Sequence, residues 1–275
     1  MGSRRLLVSD LDGTLLGDDE ALGRFAEWYE AHRASVRLVY ATGRFFDSVA
    51  ALIGCTRLPE PDAVIGAVGT EIALYPDGRN VDRWPPHSAI WDPKAIRAML
   101  AKHSILEPQP PEFQTDFKLS YYAEGLDAEF LADLRRKLAD AGQYVETIYS
   151  SNRDLDVLPP GVSKGSAVVF LASDWGVDRD QVIVAGDTGN DAAMFLSGFR
   201  GIVVGNAQPE LKAFRSANIY HSDHFFAAGV LDGIEYWLDK TPGRELHQMN
   251  STTGGADHHD ETVTACTPTR KPPAF

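Results

Sequence analysis

Cysteine is nearly absent from this 275-residue chain: Cys55 and Cys266 are too few and too far apart for a disulfide framework or a zinc site. A reducing compartment fits, with each expected as a buried or tail thiol. Long apolar runs are missing too. No stretch of about 18 apolar residues exists, and Met1 to Arg5 leads straight into a strand pattern without the h-region of a signal peptide. A soluble cytoplasmic protein is expected. Basic charge is short as well, with 26 Lys and Arg against 39 Asp and Glu and a net charge of −13. A surface of that sign repels nucleic-acid phosphates and anionic lipid, which excludes nucleic acid and membrane as general partners. An anionic small substrate must then be met by locally placed cations or a bound metal ion. Core material is present in ordinary measure: 44% hydrophobic and 24% charged residues argue against a disordered, collagenous or coiled-coil chain. The length suffices for one large or two smaller domains.

Apolar runs of strand length alternate with helical patterns from the start, the signature of a parallel sheet covered by helices. Residues 5–9, 36–41 and 63–67 predict buried strands, and residues 18–32 predict a helix with Leu22, Phe25, Ala26 and Tyr29 on one stripe. Past Tyr75 the character changes, as Pro76, Pro85, Pro86 and Pro93 are followed by Pro108, Pro110 and Pro111. A second unit begins there. Helical stretches at 93–103 and 128–142 interleave with strand-like stretches at 117–123, 144–150 and 154–158, which predicts helices on one face of a small antiparallel sheet. Pro159, Pro160 and Gly161 mark the return. Strands at 181–185 and 201–204 then alternate with helices at 164–175, 190–197, 209–215 and 228–240. The expected class is α/β, with a core in two parts (1–80 and 161–240) and an α+β cap inserted at 81–160. Residues 241–275 lack periodicity and predict a mobile, disordered tail, in which His258, His259 and Asp260 read as solvated.

Chemistry concentrates where the predicted strands end, the edge at which open parallel sheets hold ligands. Asp10-Leu11-Asp12-Gly13-Thr14 follows the first strand. Alternation of faces lets Asp10 and Asp12 point the same way while Leu11 anchors in the core, and Gly13 permits a turn that most residues refuse. Adjacent carboxylates repel unless a cation lies between them, and their oxygens suit a hard ion such as Mg²⁺. Two solvated aspartates opening a turn are the plainer alternative. In Tyr40-Ala41-Thr42-Gly43-Arg44 the Thr42 hydroxyl and nearby N–H groups suit a phosphate oxygen, unless Thr42 and Gly43 merely cap and turn the chain. Lys164 stands at a helix start against the macrodipole, which makes sense beside an anion; a hydrated surface lysine is the other reading. Gly186-Asp187-Thr188-Gly189-Asn190-Asp191 puts Asp187 at a strand end and Asp191 at the next helix start. One carboxylate can then ligate a metal while the other orients water or lysine. Helix capping by Asp191 is the alternative, and it leaves Asp187 unexplained.

Taken in order, DLDGT at Asp10, Thr42, Lys164 and GDTGND at Gly186 resemble the haloacid dehalogenase superfamily. Within it, LLVSDLDGT, YATGR, GAVGTEI, SSNRDLDVLP, SKG, GDTGND and GNAQPEL are similar to the sucrose-phosphate and mannosylfructose-phosphate phosphatase families, over about residues 5–240. The resemblance implies a Rossmann-like parallel-sheet core with the inserted cap, and a Mg²⁺-dependent phosphatase acting on a disaccharide phosphate. It assigns catalysis to Asp10 as the nucleophile that becomes an aspartyl-phosphate, to Asp12 as acid and then base, and to Thr42 and Lys164 on the phosphoryl oxygens. Mg²⁺ falls to Asp10, the main-chain carbonyl of Asp12, and Asp187, with Asp191 in support. Substrate binding falls to Thr42, Gly43, Arg44, Lys118, Lys164 and Asn190.

Between Thr14 and Thr42 there is room for one helix and one strand only, so the cap enters between Thr42 and Lys164. By the resemblance, Phe117-Lys118-Leu119-Ser120 and Ser150-Ser151-Asn152-Arg153-Asp154 are the stretches that read sugar hydroxyls. Lys118 is either such a contact or a strand-edge lysine that discourages aggregation. The implied substrate is sucrose 6-phosphate, with mannosylfructose phosphate, of which Thr188 is the more reminiscent variant, or a broader set of sugar phosphates as alternatives. The implied macromolecular partner is a sucrose-phosphate synthase-type glycosyltransferase. A non-catalytic module docking on that transferase would lose the nucleophile, whereas Asp10, Asp12, Lys164 and Asp187 are all present.

Overall fold

Arg5–Ser9 (β1) carries Leu6, Leu7 and Val8 in a row, and a strand apolar on both faces has to be covered on both. The computed structural model, which describes residues 4–86 and 91–239, buries all three. Asp19–His32 (α1), Val36–Ala41 (β2), Phe46–Cys55 (α2) and Ala63–Gly66 (β3) follow. Asp18 caps α1 by accepting from the N–H groups of Glu20 and Ala21, and the helix buries Leu22, Phe25 and Tyr29 at helical spacing. Glu71–Leu74 (β4) then folds back antiparallel on β3, and Arg79–Asn80 (β5) antiparallel on β4.

The next stretch contains Pro93–Leu100 (α3), Glu107–Pro108 (β6), Leu119–Tyr122 (β7), Ala128–Asp140 (α4), Glu146–Ser150 (β8) and Asp154–Leu158 (β9). Its antiparallel sheet runs β6-β7-β9-β8. One face lies under the helices, where Ile96, Leu100, Leu134 and Leu138 meet Leu119, Tyr121, Leu155 and Val157. The two-residue alternation of a strand turns Ser120 and Asp156, which pair in register, to the opposite face. Val81 and Trp84 still pack on the first core, whereas Trp91 packs on this second one.

Lys164–Asp174 (α5), Val182–Gly186 (β10), Ala192–Leu196 (α6), Arg200–Val203 (β11), Pro209–Lys212 (α7), Ile219–His221 (β12) and Phe226–Asp239 (α8) complete the chain's described part. The large sheet runs β12-β11-β10-β1-β2-β3-β4-β5, parallel from β12 to β3. The chain leaves β1 toward β2 and returns on its other side as β10, so the connections diverge and open a crevice at the carboxyl ends. Ser9 is level with Tyr40 on one neighbour and Ala185 on the other, which brings the motifs after those strands together.

The expected α/β class and parallel core are what the fold shows, with differences in detail. The sheet gains an antiparallel edge at β4 and β5, because Asp77-Gly78 makes a hairpin among prolines that masked it. Helix α2 reads FDSVAALIGC, apolar nearly all round, so no stripe announced it. Cys55, expected as a buried thiol, is exposed at the end of α2, where its Sγ donates to the Ala51 carbonyl at 2.7 Å. Among the described residues no helix is long and apolar enough to cross a membrane. The tail expected at 241–275, with Cys266, His258, His259 and Asp260, lies outside the described residues.

Candidate active site

Three adjacent strands deliver the site: Asp10 follows β1, Thr42 follows β2 and Asp187 follows β10. Lys164 arrives from α5, whose start is fixed by reciprocal capping between Ser163 and Ser166. Its side chain is fully buried, which rules out a hydrated surface lysine. Nζ donates to Asp10 Oδ1 at 2.8 Å, Asn190 Oδ1 at 2.7 Å and Asp191 Oδ1 at 2.7 Å. The other oxygen of Asp191 accepts from the N–H groups of Asp187 and Thr188, so this residue both closes the turn and holds the lysine. Asp187 Oδ1 accepts from the Thr14 hydroxyl at 3.0 Å. Carboxylate oxygens of Asp10, Asp187 and Asp191 lie within 4.8 Å of one another.

Burial pushes the Asp10 carboxyl up to about 7, against the opposing pull of Lys164 and with the help of the Asp191 charge. Burial, then Asp10 and Asp191, lift Asp187 to about 8, against the Thr14 hydrogen bond. Burial alone would lower Lys164, but the carboxylates of Asp10 and Asp191 outweigh it and hold the ammonium above its ordinary range. With all three carboxylates ionised, the cluster and its one ammonium would carry two negative charges, which one divalent cation would neutralise. Hard oxygen donors are also the ligands such an ion prefers, so the residues fit it.

Gly13 makes this packing possible. Its φ is +90°, and a Cβ there would stand 2.2 Å from Asp187 Oδ2. Gly13→Ala is therefore expected to displace Asp187 and weaken Mg²⁺ binding roughly ten-fold or more in a calorimetric titration. Unchanged affinity would remove Asp187 from the ligand set.

Asp12 stands apart from the carboxylate cluster. Arg44 grips it with two bonds, Nε to Oδ2 at 2.6 Å and Nη2 to Oδ1 at 2.7 Å, which in turn hold the guanidinium more firmly protonated. The Thr42-Gly43-Arg44 loop is held from beneath by Ala67 and Val68. Their N–H groups donate to the carbonyls of Arg44 and Thr42 at 2.9 and 3.0 Å. Both have positive φ, 47° and 61°, a strain of roughly 1–3 kcal/mol each that the hydrogen bonds help to offset. The Thr42 hydroxyl accepts from the Arg44 N–H, Gly43 is exposed, and Glu71 accepts from the Phe46 N–H at the start of α2. Burial, partly opposed by that bond, raises the Glu71 carboxyl.

Lys118 lies outside the hydrogen-bonded group around Asp10. It is buried, pairs with Asp156 at 3.2 Å, donates to the Phe113 carbonyl and lies 6.0 Å from the centre of the Phe45 ring. That is a cap residue facing the core, not an edge lysine in water. Several participants carried no assigned role in the sequence: Thr14, Asp156, and Asn206, whose amide donates to the Gly13 carbonyl at 2.7 Å and accepts from the Phe226 N–H. Each lies in a quoted motif, and position in that motif was the available signal.

The fold, the motif order and the carboxylates gathered around a lysine define a phosphatase of the haloacid dehalogenase type. Residues 3–238 match the sequence model of the sucrose-6F-phosphate phosphohydrolase family, and the chain belongs to that family of phosphoric monoester hydrolases. It is 36% identical over 239 residues to the mannosylfructose-phosphate phosphatase of Agrobacterium fabrum, covering 85% of this chain and 96% of that protein. It is 33% identical to the probable sucrose-phosphatase 3a of Arabidopsis thaliana over 84% of this chain, and spans 59% of that longer relative. The X-ray structure of the sucrose-phosphatase from Synechocystis in complex with sucrose and phosphate superposes with a TM-score of 0.79 at 34% identity, covering 86% of this chain and 98% of that one.

Proposed function

We propose that the chain hydrolyses a disaccharide phosphate, sucrose 6-phosphate foremost, to the free sugar and phosphate through an aspartyl-phosphate. The observation that carries this reading is the Lys164 ammonium bonded to Asp10, Asn190 and Asp191 inside a buried carboxylate cluster. Lys164 occupies Oδ1 of Asp10, and among the described residues no donor reaches Oδ2. Oδ2 is then the oxygen that attacks phosphorus. As the new O–P bond forms, the bond from phosphorus to the sugar oxygen breaks, and Asp12 gives that oxygen its proton. To do so Asp12 must exchange Arg44 for the leaving group, since the guanidinium occupies both of its carboxylate oxygens. Asp12 next takes a proton from the water that attacks phosphorus, which frees phosphate and restores the Asp10 carboxylate. Thr42 and Lys164 hold the phosphoryl oxygens, Gly43 and Arg44 border them, and Asn190 and Lys118 face the substrate. Asp10, the Asp12 carbonyl, Asp187 and, in support, Asp191 would hold Mg²⁺, which when bound supplies positive charge against the phosphoryl group.

Mannosylfructose phosphate is the second reading, favoured by the nearly full-length match to a phosphatase of that name. A cytoplasmic glycosyltransferase that makes such a sugar phosphate is the partner this chemistry would serve. A panel of sugar phosphates assayed with Mg²⁺ should show a disaccharide phosphate hydrolysed roughly ten-fold or more faster, in kcat/KM, than hexose phosphates. EDTA should stop the reaction. Equal rates across the panel would replace this reading with a broad sugar phosphatase, and activity surviving EDTA would contradict the metal.

A further inference from the structure

Two quoted motifs, SSNRD in the cap and GNAQPEL in the core, meet in the fold. Ser151 and Asn152, with φ of 54° and 50°, make the tight turn between β8 and β9. The strand leading into that turn is tied to the rest of the cap: the Tyr149 hydroxyl donates to the Ala123 carbonyl at 2.9 Å and accepts from the Leu126 N–H at 3.1 Å. Its tip rests on the core. The Ser151 N–H donates to Glu210 Oε1 at 3.3 Å, and the backbone at Tyr149 and Ser150 lies directly over Gly189. A Cβ on Gly189 would stand 2.7 Å from the Tyr149 carbonyl oxygen and 3.5 Å from Ser150 Cα.

Gly189 has no left-handed backbone angle, so it is the approach of the cap, not the turn, that leaves no room for a side chain. The next residue, Asn190, accepts from Lys164. On the other flank of the crevice, Lys118 of the cap faces Phe45, the neighbour of Arg44. The cap thus touches the core beside two site residues.

We propose that Gly189 and Glu210 form the seat on which the cap closes, and that as positioning residues they set how strongly hydrolysis depends on a leaving group large enough to reach the cap. The proposal rests on the phosphatase reading above. Gly189→Ala adds bulk chiefly against the cap, with the core's own Glu210 Cγ farther off at 3.3 Å, and Glu210→Ala removes the acceptor for the cap amide.

Hydrogen exchange on the full chain tests the seat without any substrate. The Ser151 amide should exchange slowly in the native protein and roughly ten-fold or more faster in both variants. With Mg²⁺, Gly189→Ala should lower kcat/KM for sucrose 6-phosphate roughly ten-fold, mainly through KM, and leave p-nitrophenyl phosphate hydrolysis within about two-fold. Glu210→Gln, which keeps an acceptor oxygen, should behave like the native chain. Unprotected Ser151 in the native protein, or equal losses on both substrates, would overturn the seat. If the native chain hydrolyses neither ester, the phosphatase reading fails, and the exchange experiment still decides the seat.

Discussion

Asp10→Asn should remove turnover and leave the fold in place. The amide has the shape of the carboxylate but cannot supply the nucleophilic oxygen, so phosphate release should fall by roughly 10⁴-fold or more. Stability should hold, for a reason visible in the site. The amide oxygen still accepts from Lys164, whose bonds to Asn190 and Asp191 persist, so no buried ammonium is stranded. Losing one of three crowded carboxylates also relieves the repulsion that helps to push Asp10 up to about 7. The check is steady-state phosphate release beside a thermal melt. A folded variant that kept a hundredth of the native rate would take the nucleophile's role from Asp10.

The residues of the cluster are chemically conspicuous in the sequence itself. A lysine at a helix start opposes the macrodipole, and paired aspartates at strand ends repel, so neither is explained by local stability. Lys164, Asp10, Asp187 and Asp191 accordingly meet as the motif order implied. The strands β1, β2 and β9 were legible to the residue, the first two as mostly apolar runs and β9 by its alternation after SSNR and before Pro159. Legibility stopped where structure depends on what lies opposite. Strands β5 and β6 are two residues long and exist only as partners of β4 and β7. The grip of Arg44 on Asp12 joins residues 32 positions apart and requires β1 and β2 to be neighbours in a given register. Lys118 looked the same in sequence whether it faced water or Asp156. Gly189 read as part of a turn, and only the seated cap shows what excludes a side chain there.

The largest effect on stability is expected from pH and divalent metal together. In the metal-free protein Asp10 and Asp187 sit at about 7 and about 8, raised from the ordinary 3.8, so the folded chain binds their protons more tightly than the unfolded chain does. Their contribution is complete below the unfolded value and is lost as pH rises through the folded values, so the metal-free protein should weaken from about pH 5 to about pH 8. The two groups share one cluster and titrate together, so their combined effect should show as a fall in Tm of several degrees, on the order of a few kcal/mol. On the proposed reading Mg²⁺ would bind the ionised carboxylates and so compete with those protons. Its stabilisation should be small near pH 5.5 and grow toward pH 8, the reverse of the metal-free trend. Asp187→Asn supplies the control, because it keeps the remaining acids of the protein as a shared background. The variant should be more stable than the native chain at about pH 8 without metal, and should lose most of the Mg²⁺ shift. Melting curves with EDTA or Mg²⁺ across that range decide it. A metal-free profile identical in native and variant chains would mean that Asp187 is not raised in the folded protein, and a Mg²⁺ shift equal at both ends of the range would mean that the carboxylates around Lys164 do not hold the ion.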